Sequence, residues 1–292
     1  MRVVAEYVMR GRYQAIGVSL LSASLPPPIS WLSSAVVSLV ILRKGVGEGA
    51  LALLAGCLPL LVLFFYQADI NPLVALFGTA CLAGVLRTTV SWEVTLAAAV
   101  VISIAGSLIF EVTSADLTVR LASEYLNILE NIKASAEPSA GLVLPSPADA
   151  QNIVLGLFSV GFALSMMVFL GLARWWQSLL YNPGGFGREF KALRLSPQIS
   201  GLLVLGLVGA LGFGGFFRWA NLFALPLLLA AAGFVHWFVA ERNLSRSWLV
   251  SFYLLVVFMY QLVSPLLATL ALLDSWFDLR KRLRLDPVKP TE

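Results

Sequence analysis

The stretch from Gly47 to Tyr66 reads GEGALALLAGCLPLLVLFFY and holds one charged side chain, Glu48. A helix rises ~1.5 Å per residue, so about 20 residues of this composition match the ~30 Å of hydrocarbon in a bilayer. Hydrocarbon offers no water to unpaired backbone amides, so a lone segment crossing it has to be helical. The same pattern recurs at Pro72–Leu86, Trp92–Phe110, Asn152–Ala173, Gln198–Phe217 and Asn221–Val239. Two further apolar stretches are interrupted. Gln14–Leu25 and Ile29–Leu42 flank Pro26-Pro27-Pro28, and Trp248–Val263 and Leu266–Phe277 flank Ser264-Pro265. Proline removes a backbone donor and disfavours helix in the residue before it. The predicted fold is therefore all-α: a polytopic transmembrane helical bundle of about six full spans with a proline-broken helical hairpin at each terminus.

Composition points the same way. Of 292 residues, 59% are apolar and 12% are charged, against ~25% charged in soluble domains. The mean hydropathy is +0.87, which excludes an ordinary water-soluble domain. The net charge of +4 does not imply a nucleic-acid partner, because the basic side chains flank apolar segments instead of covering a polar domain. With the N-terminus in the cytoplasm and both hairpins returning, every Lys and Arg except Arg120, Lys133 and Arg218 falls on the cytoplasmic side. That is the positive-inside pattern of a multi-pass protein of a bacterial inner membrane. Trp92, Trp175, Trp176, Trp219, Trp237, Trp248 and Trp276 cluster near the expected span ends, where an amphipathic indole is most stable. Cys57 and Cys81 lie inside apolar segments and read as small hydrophobes. With a single histidine, no metal or other cofactor is expected. Arg10 and Arg12 precede a short apolar run and Ser22-Ala23-Ser24, a loose likeness to a signal peptide whose apolar run is too weak to expect cleavage.

The polar interruption divides the chain into N-terminal transmembrane helices (1–110), an insertion (111–150), C-terminal transmembrane helices (151–283) and a tail (284–292). The insertion carries Glu111, Asp116, Glu124, Glu130, Glu137 and Asp149 against Arg120 and Lys133. Residues 115–133 read as an amphipathic helix with Leu117, Leu121, Tyr125, Ile128 and Ile132 on one stripe. Thr113 and Asp116 suit a capping box, Lys133 suits the last turn, and Pro138, Pro145 and Pro147 break the helix. An acidic helix is repelled by anionic lipid, so its apolar stripe is expected to pack on protein at the outer face.

Gly45-Val46-Gly47-Glu48-Gly49 lacks the spacing and the preceding strand of a phosphate loop, and reads as a close-packed helix start with Lys44 and Glu48 paired four apart. Gly206, Gly209, Gly212, Gly214 and Gly215 would let helix backbones approach. Polar side chains in apolar spans are default candidates for a binding site, which singles out Asn221, His236, Gln261 and Asp274. Asp278 and Arg282 fit an ion pair four apart in a basic anchor. Arg188, Lys191, Arg194, Asp278 and Arg280 flank the basic loop and terminus suited to docking a partner. No nucleophile–histidine–acid constellation is present, and the chain reads as a non-enzyme.

The C-terminal half resembles a known family. Phe190, Leu195-Ser196-Pro197, Asn221, Gly233-Phe234-Val235-His236-Trp237-Phe238 and Leu272-Leu273-Asp274-Ser275-Trp276-Phe277-Asp278-Leu279-Arg280-Lys281 are similar to the YybS-like bacterial membrane family. The likeness covers about residues 185–283. It implies a polytopic membrane protein loosely akin to the substrate-binding subunits of energy-coupling-factor vitamin transporters, and it brings no reaction. Two readings follow. One is a transporter's substrate-capture subunit that binds a small solute between helices and docks a membrane or cytoplasmic protein; the other is a non-transporting scaffold of a membrane complex. An enzyme acting on lipid-linked substrates would need carboxylates or His236 to converge in a cavity. Cysteines introduced at Lys44, Arg188 and Lys289 are expected to react with an impermeant thiol reagent only from the cytoplasmic side, and one at Glu130 only from the other. A cytoplasmic position 130 would overturn the map.

Overall fold

The computed structural model describes residues 1–26, 29–67, 69–135, 143–213 and 216–283. Every regular element among them is helical: α1 (Arg2–Arg10), α2 (Arg12–Ala23), α3 (Leu32–Lys44), α4 (Val46–Gln67), α5 (Asn71–Thr89), α6 (Trp92–Thr113), α7 (Ala115–Ser135), α8 (Pro147–Tyr181), α9 (Gly185–Ala192), α10 (Pro197–Gly212), α11 (Ala220–Glu241), α12 (Ser247–Phe258), α13 (Tyr260–Phe277) and α14 (Leu279–Leu283). Short 3-10 turns at Ile29–Trp31 and Phe217–Trp219 lead into α3 and α11. Five helical segments are long and apolar enough to cross a bilayer, and counting the bent pairs α9–α10 and α12–α13 as spans raises the number to seven. The chain is a multi-pass membrane protein built as a helical bundle. The positions at 284–292, Gly214, Gly215 and Pro138 lie outside the described residues.

The first broken segment returns. Arg12 of α2 pairs with Glu48 at the start of α4, and Ser19 donates to Ala52 O one level deeper, so α2 runs alongside α4 while α3 runs back. At the other terminus, α12 and α13 meet at 120°. The break is at Met259, not at Ser264-Pro265, and Pro265 lies inside α13. A proline near a helix start costs one backbone bond, a loss that packing can offset; Pro59 and Pro226 are likewise housed within α4 and α11.

Serine caps set several boundaries. Ser146 accepts from Asp149 N and Ser196 from Ile199 N, each followed by a proline in the first helical turn. As a result α8 is 35 residues long and extends past both ends of the expected Asn152–Ala173. At ~1.5 Å per residue it overshoots the hydrocarbon. The span expected at Gln198–Phe217 stops at Gly212, and Phe217–Trp219 belongs to the entry of α11. Within α10, a Cβ at Gly206 would press on Phe223, whereas Gly209 and Gly212 face open space.

Three local expectations are corrected. Lys44 and Glu48 are not one helical turn apart, because Gly45 has φ +104° and separates α3 from α4. Thr113 does not cap α7; its hydroxyl donates back to Ile109 O within α6. Asp278 leaves α13 in a left-handed conformation (φ 48°), so it shares no helical face with Asp274 and pairs with Arg194 instead of Arg282. Helix α7 does pack on protein: Leu121, Ala122, Tyr125 and Leu126 meet Ala150, Val154 and Phe158 of α8. Its far end turns the stripe outward, with Ile128 and Ile132 exposed.

At the centre lies α3. Every residue from Ser33 to Leu42 is buried among α2, α4, α5 and α8, so this 13-residue helix meets protein where longer helices meet lipid. Its last carbonyls have no helical partner. Arg87 of α5 donates to Ile41 O and Leu42 O, placing a cation at the negative end of the helix dipole. Replacing Arg87 by Leu is expected to cost about 2–4 kcal/mol, since hydrogen bonds to charged groups contribute ~1.5–3 kcal/mol each, while Arg87→Lys recovers part. Unfolding in detergent measures this, and an Arg87→Leu protein as stable as the parent refutes it.

Candidate functional site

The second half of the bundle has an α8, α6, α11 and α13 core, with Leu222, Leu227, Ala230 and Ala231 of α11 at its middle. Two close backbone approaches fix α11 there. A Cβ on Gly156 of α8 would lie 2.6 Å from Arg218 O, and one on Gly233 would lie 2.8 Å from Phe190 O. Above α11, Arg218 pairs with Glu111 and Trp219 Nε1 donates to Ser107 Oγ.

A seam opens between α11 and α12. Along α11 it is lined by Asn221, Leu225, Leu228, Leu229 and Ala232, and along α12 and α13 by Phe252, Tyr253, Val256, Tyr260, Val263, Ser264 and Leu267. With Gly156, Leu157, Val160 and Leu164 of α8 these enclose a cavity of about 420 Å³. These positions fall at helical spacing, so one face of each helix supplies the wall. Polar groups are few: Asn221, the two tyrosine hydroxyls and Ser264. Among the described residues, no charged side chain lines the cavity.

Four residues along the same face of α11 from Ala232 stands His236. Its Nε2 shares a hydrogen bond of 2.8 Å with the Tyr253 hydroxyl, and its ring meets the edge of Phe190 with centroids 5.1 Å apart. His236 lines a wider, open groove of about 680 Å³ with Phe186, Lys191, Asn243 and Leu249. The His236–Tyr253 pair thus stands between the groove and the cavity. Few other contacts hold α12: none of its residues is buried.

The structure does not gather the four expected binding residues. Asn221 lines the cavity and His236 the groove, Gln261 is exposed, and Asp274 is 2% exposed within the protein. Asp274 Oδ2 accepts from Arg280 Nε at 2.8 Å. Arg280 also donates to the carbonyls of Lys191 and Leu193 and lies over the rings of Phe234 and Trp237. Arg194 donates to Asp274 O and Ser275 O and pairs with Asp278 at 3.1 Å. Ser275 Oγ bonds Leu195 O and Ser200 Oγ. The Asp-Ser-Trp-Phe-Asp-Leu-Arg ending is therefore an internal clasp that ties α13 to the loop before α10. Arg194, Asp278 and Arg280 are engaged within the chain, while the Arg188 side chain bonds Asn182 at the surface.

A second network escaped the sequence reading. Glu189 takes two hydrogen bonds from Arg174, at 2.9 and 2.6 Å, and one from Trp92 Nε1, while Glu93 accepts from Ser196 N. The sequence signal was a lone acid amid basic residues in 174–194, which needs a partner. Tyr253 and Tyr260 were also missed, because nothing in their apolar stretch marks which face meets α11. No group of His, Cys, Asp or Glu that could hold a metal ion occurs among the described residues.

Comparison of the chain with protein-family models, with curated proteins and with solved structures finds no match in any of the three.

Removing one partner of a buried ion pair typically costs ~3–5 kcal/mol. Asp274→Leu is expected to destabilise the protein by about that much, and adding Arg280→Met to recover part of it, because the uncompensated cation is gone. Unfolding in detergent reads both; an Asp274→Leu variant of parental stability refutes the clasp.

Proposed function

We propose that this protein is a solute-binding subunit of a membrane transport system, of the kind implied by the YybS-like resemblance, and that its site is the cavity between α8, α11, α12 and α13. The observation that carries this reading is a cavity of about 420 Å³, within the ~300–1,000 Å³ typical of small-molecule sites. Its walls are apolar with a few uncharged polar groups, which suits an uncharged, amphipathic solute. A charged ligand group would be left without a counter-ion. Broken helices commonly surround transporter sites, and here the α12–α13 break flanks the cavity. Because α12 buries none of its residues, moving it aside disturbs little packing, and the His236–Tyr253 bond acts as its latch.

The reading is non-catalytic. Asp274 and Glu189 are neutralised by Arg280 and Arg174, so neither is free to serve as an acid or base beside His236. An inner-membrane location with the N-terminus in the cytoplasm belongs to the same proposal. So does a protein partner met through the exposed head of Arg188 and the groove beside Lys191.

Ala232→Phe fills the cavity without touching a polar group. Mass spectrometry of small molecules released from the denatured wild-type protein is expected to find a solute that the Ala232→Phe protein lacks. Identical profiles from both proteins would remove the reading.

A further inference from the structure

A groove of about 520 Å³ lies between α10 and α13 and shares no lining residue with the α11–α12 cavity. Gly201 and Leu205 line it on α10, and Thr269, Leu273, Trp276 and Phe277 on α13. Leu205, Leu273, Trp276 and Phe277 are exposed, so the groove is open along its length. Its two polar side chains are already committed: the Thr269 hydroxyl donates to Pro265 O and Trp276 Nε1 to Ser200 Oγ. Among the described residues, no charged side chain lines it. Its floor is low at Gly201, where a Cβ would meet nothing within 4 Å. An occupant therefore meets apolar surface and finds no free hydrogen-bond partner along the groove itself.

One end is different in charge. Phe277 closes α13, and the Arg282 guanidinium lies over its ring, 5.9 Å from the centroid, next to the exposed Lys281. The neighbouring charges are taken, Arg280 by Asp274 and Asp278 by Arg194. Among the described residues, no carboxylate pairs with Lys281 or Arg282. An apolar trench that ends at a tryptophan and two free cations matches an amphiphile with an anionic head. A second copy of this chain fits poorly. Copies inserted the same way bring their own Lys281 and Arg282 to the same membrane face, and juxtaposed like charges oppose the contact.

We propose that the α10–α13 groove holds one anionic phospholipid, an acyl chain lying along Gly201, Leu205 and Leu273 and the phosphate against Arg282 and Lys281. The clasp beside it keeps the groove in shape: Ser275 Oγ and Ser200 Oγ bond at 2.8 Å across the two helices, and Arg280 holds the end of α13 through Asp274. The lipid covers a helix that protein leaves largely bare, since α10 buries only Ser200, Leu203 and Ala210. This site does not rest on the transport reading.

The test is native mass spectrometry of the full chain in mild detergent, with palmitoyl-oleoyl phosphatidylglycerol and phosphatidylcholine of the same chains added in turn. The wild-type protein is expected to retain one phosphatidylglycerol, and to bind it roughly 30-fold more tightly than phosphatidylcholine, the value of two cations beside an anionic lipid. Lys281→Gln with Arg282→Gln alters only exposed side chains and is expected to bring the two lipids to equal, weak retention. Gly201→Phe keeps both cations and fills the trench, in a direction where a Cβ meets nothing within 4 Å. It is expected to lose the retained phosphatidylglycerol, which a purely electrostatic association with α14 would keep. Equal retention of the two lipids by the wild-type protein, phosphatidylglycerol binding that survives Gly201→Phe, or a lipid-free dimer overturns the proposal.

Discussion

Backbone carbonyls that end a helix need donors from outside it, and the guanidinium of Arg87 supplies them for α3. With its end so satisfied, a helix too short to span can occupy the centre of the bundle. Four helices pack around it: α2, α4, α5 and α8. The serines along α3 belong to the same arrangement, since Ser38 Oγ bonds Thr79 O across the α3–α5 interface and small side chains allow close contact. A longer, lipid-facing helix would need neither the serines nor the arginine.

The two halves of the molecule are held by different means. Around α3 the contacts are many and apolar. In the second half, rigidity comes from the polar clasps at one end, Arg280–Asp274 and Arg174–Glu189, while the α11–α12 seam stays thinly packed. Charge pairs concentrated in a low-dielectric setting fix a geometry well even where their net contribution to stability is small. One end is tied by ion pairs, and α12 buries none of its residues. The proposed solute-binding role draws on that distribution more than on any single residue.

Much of this was legible along the chain. The apolar runs at 47–66, 92–110 and 221–239 became α4, α6 and α11 within a few residues, because hydrophobic length is set by the bilayer and not by neighbours. The interruption of the first apolar stretch by prolines was likewise visible before the structure. The Ser-Pro pairs at 146–147 and 196–197 carried boundary information that hydropathy obscured. Other features were out of reach. Pro265 suggests a break that packing overrides, and the bend at Met259 has no marker in the sequence. The roles of Arg194, Asp278 and Arg280 look like those of surface charges until their partners, some 80 residues away in the chain for Arg194 and Arg280, are brought against them.

By itself the sequence determined that the chain is a helical membrane protein and roughly where its spans lie, since these depend on transfer free energies summed over local stretches. The tertiary structure alone decided which polar residues serve architecture and which face a cavity. Asp274 and His236 look alike as polar residues in apolar helices, yet one is closed within an ion pair and the other stands at the edge of an open groove. That difference depends on how helices distant in sequence are rotated against one another, a matter of side-chain packing over the whole bundle that no local stretch encodes.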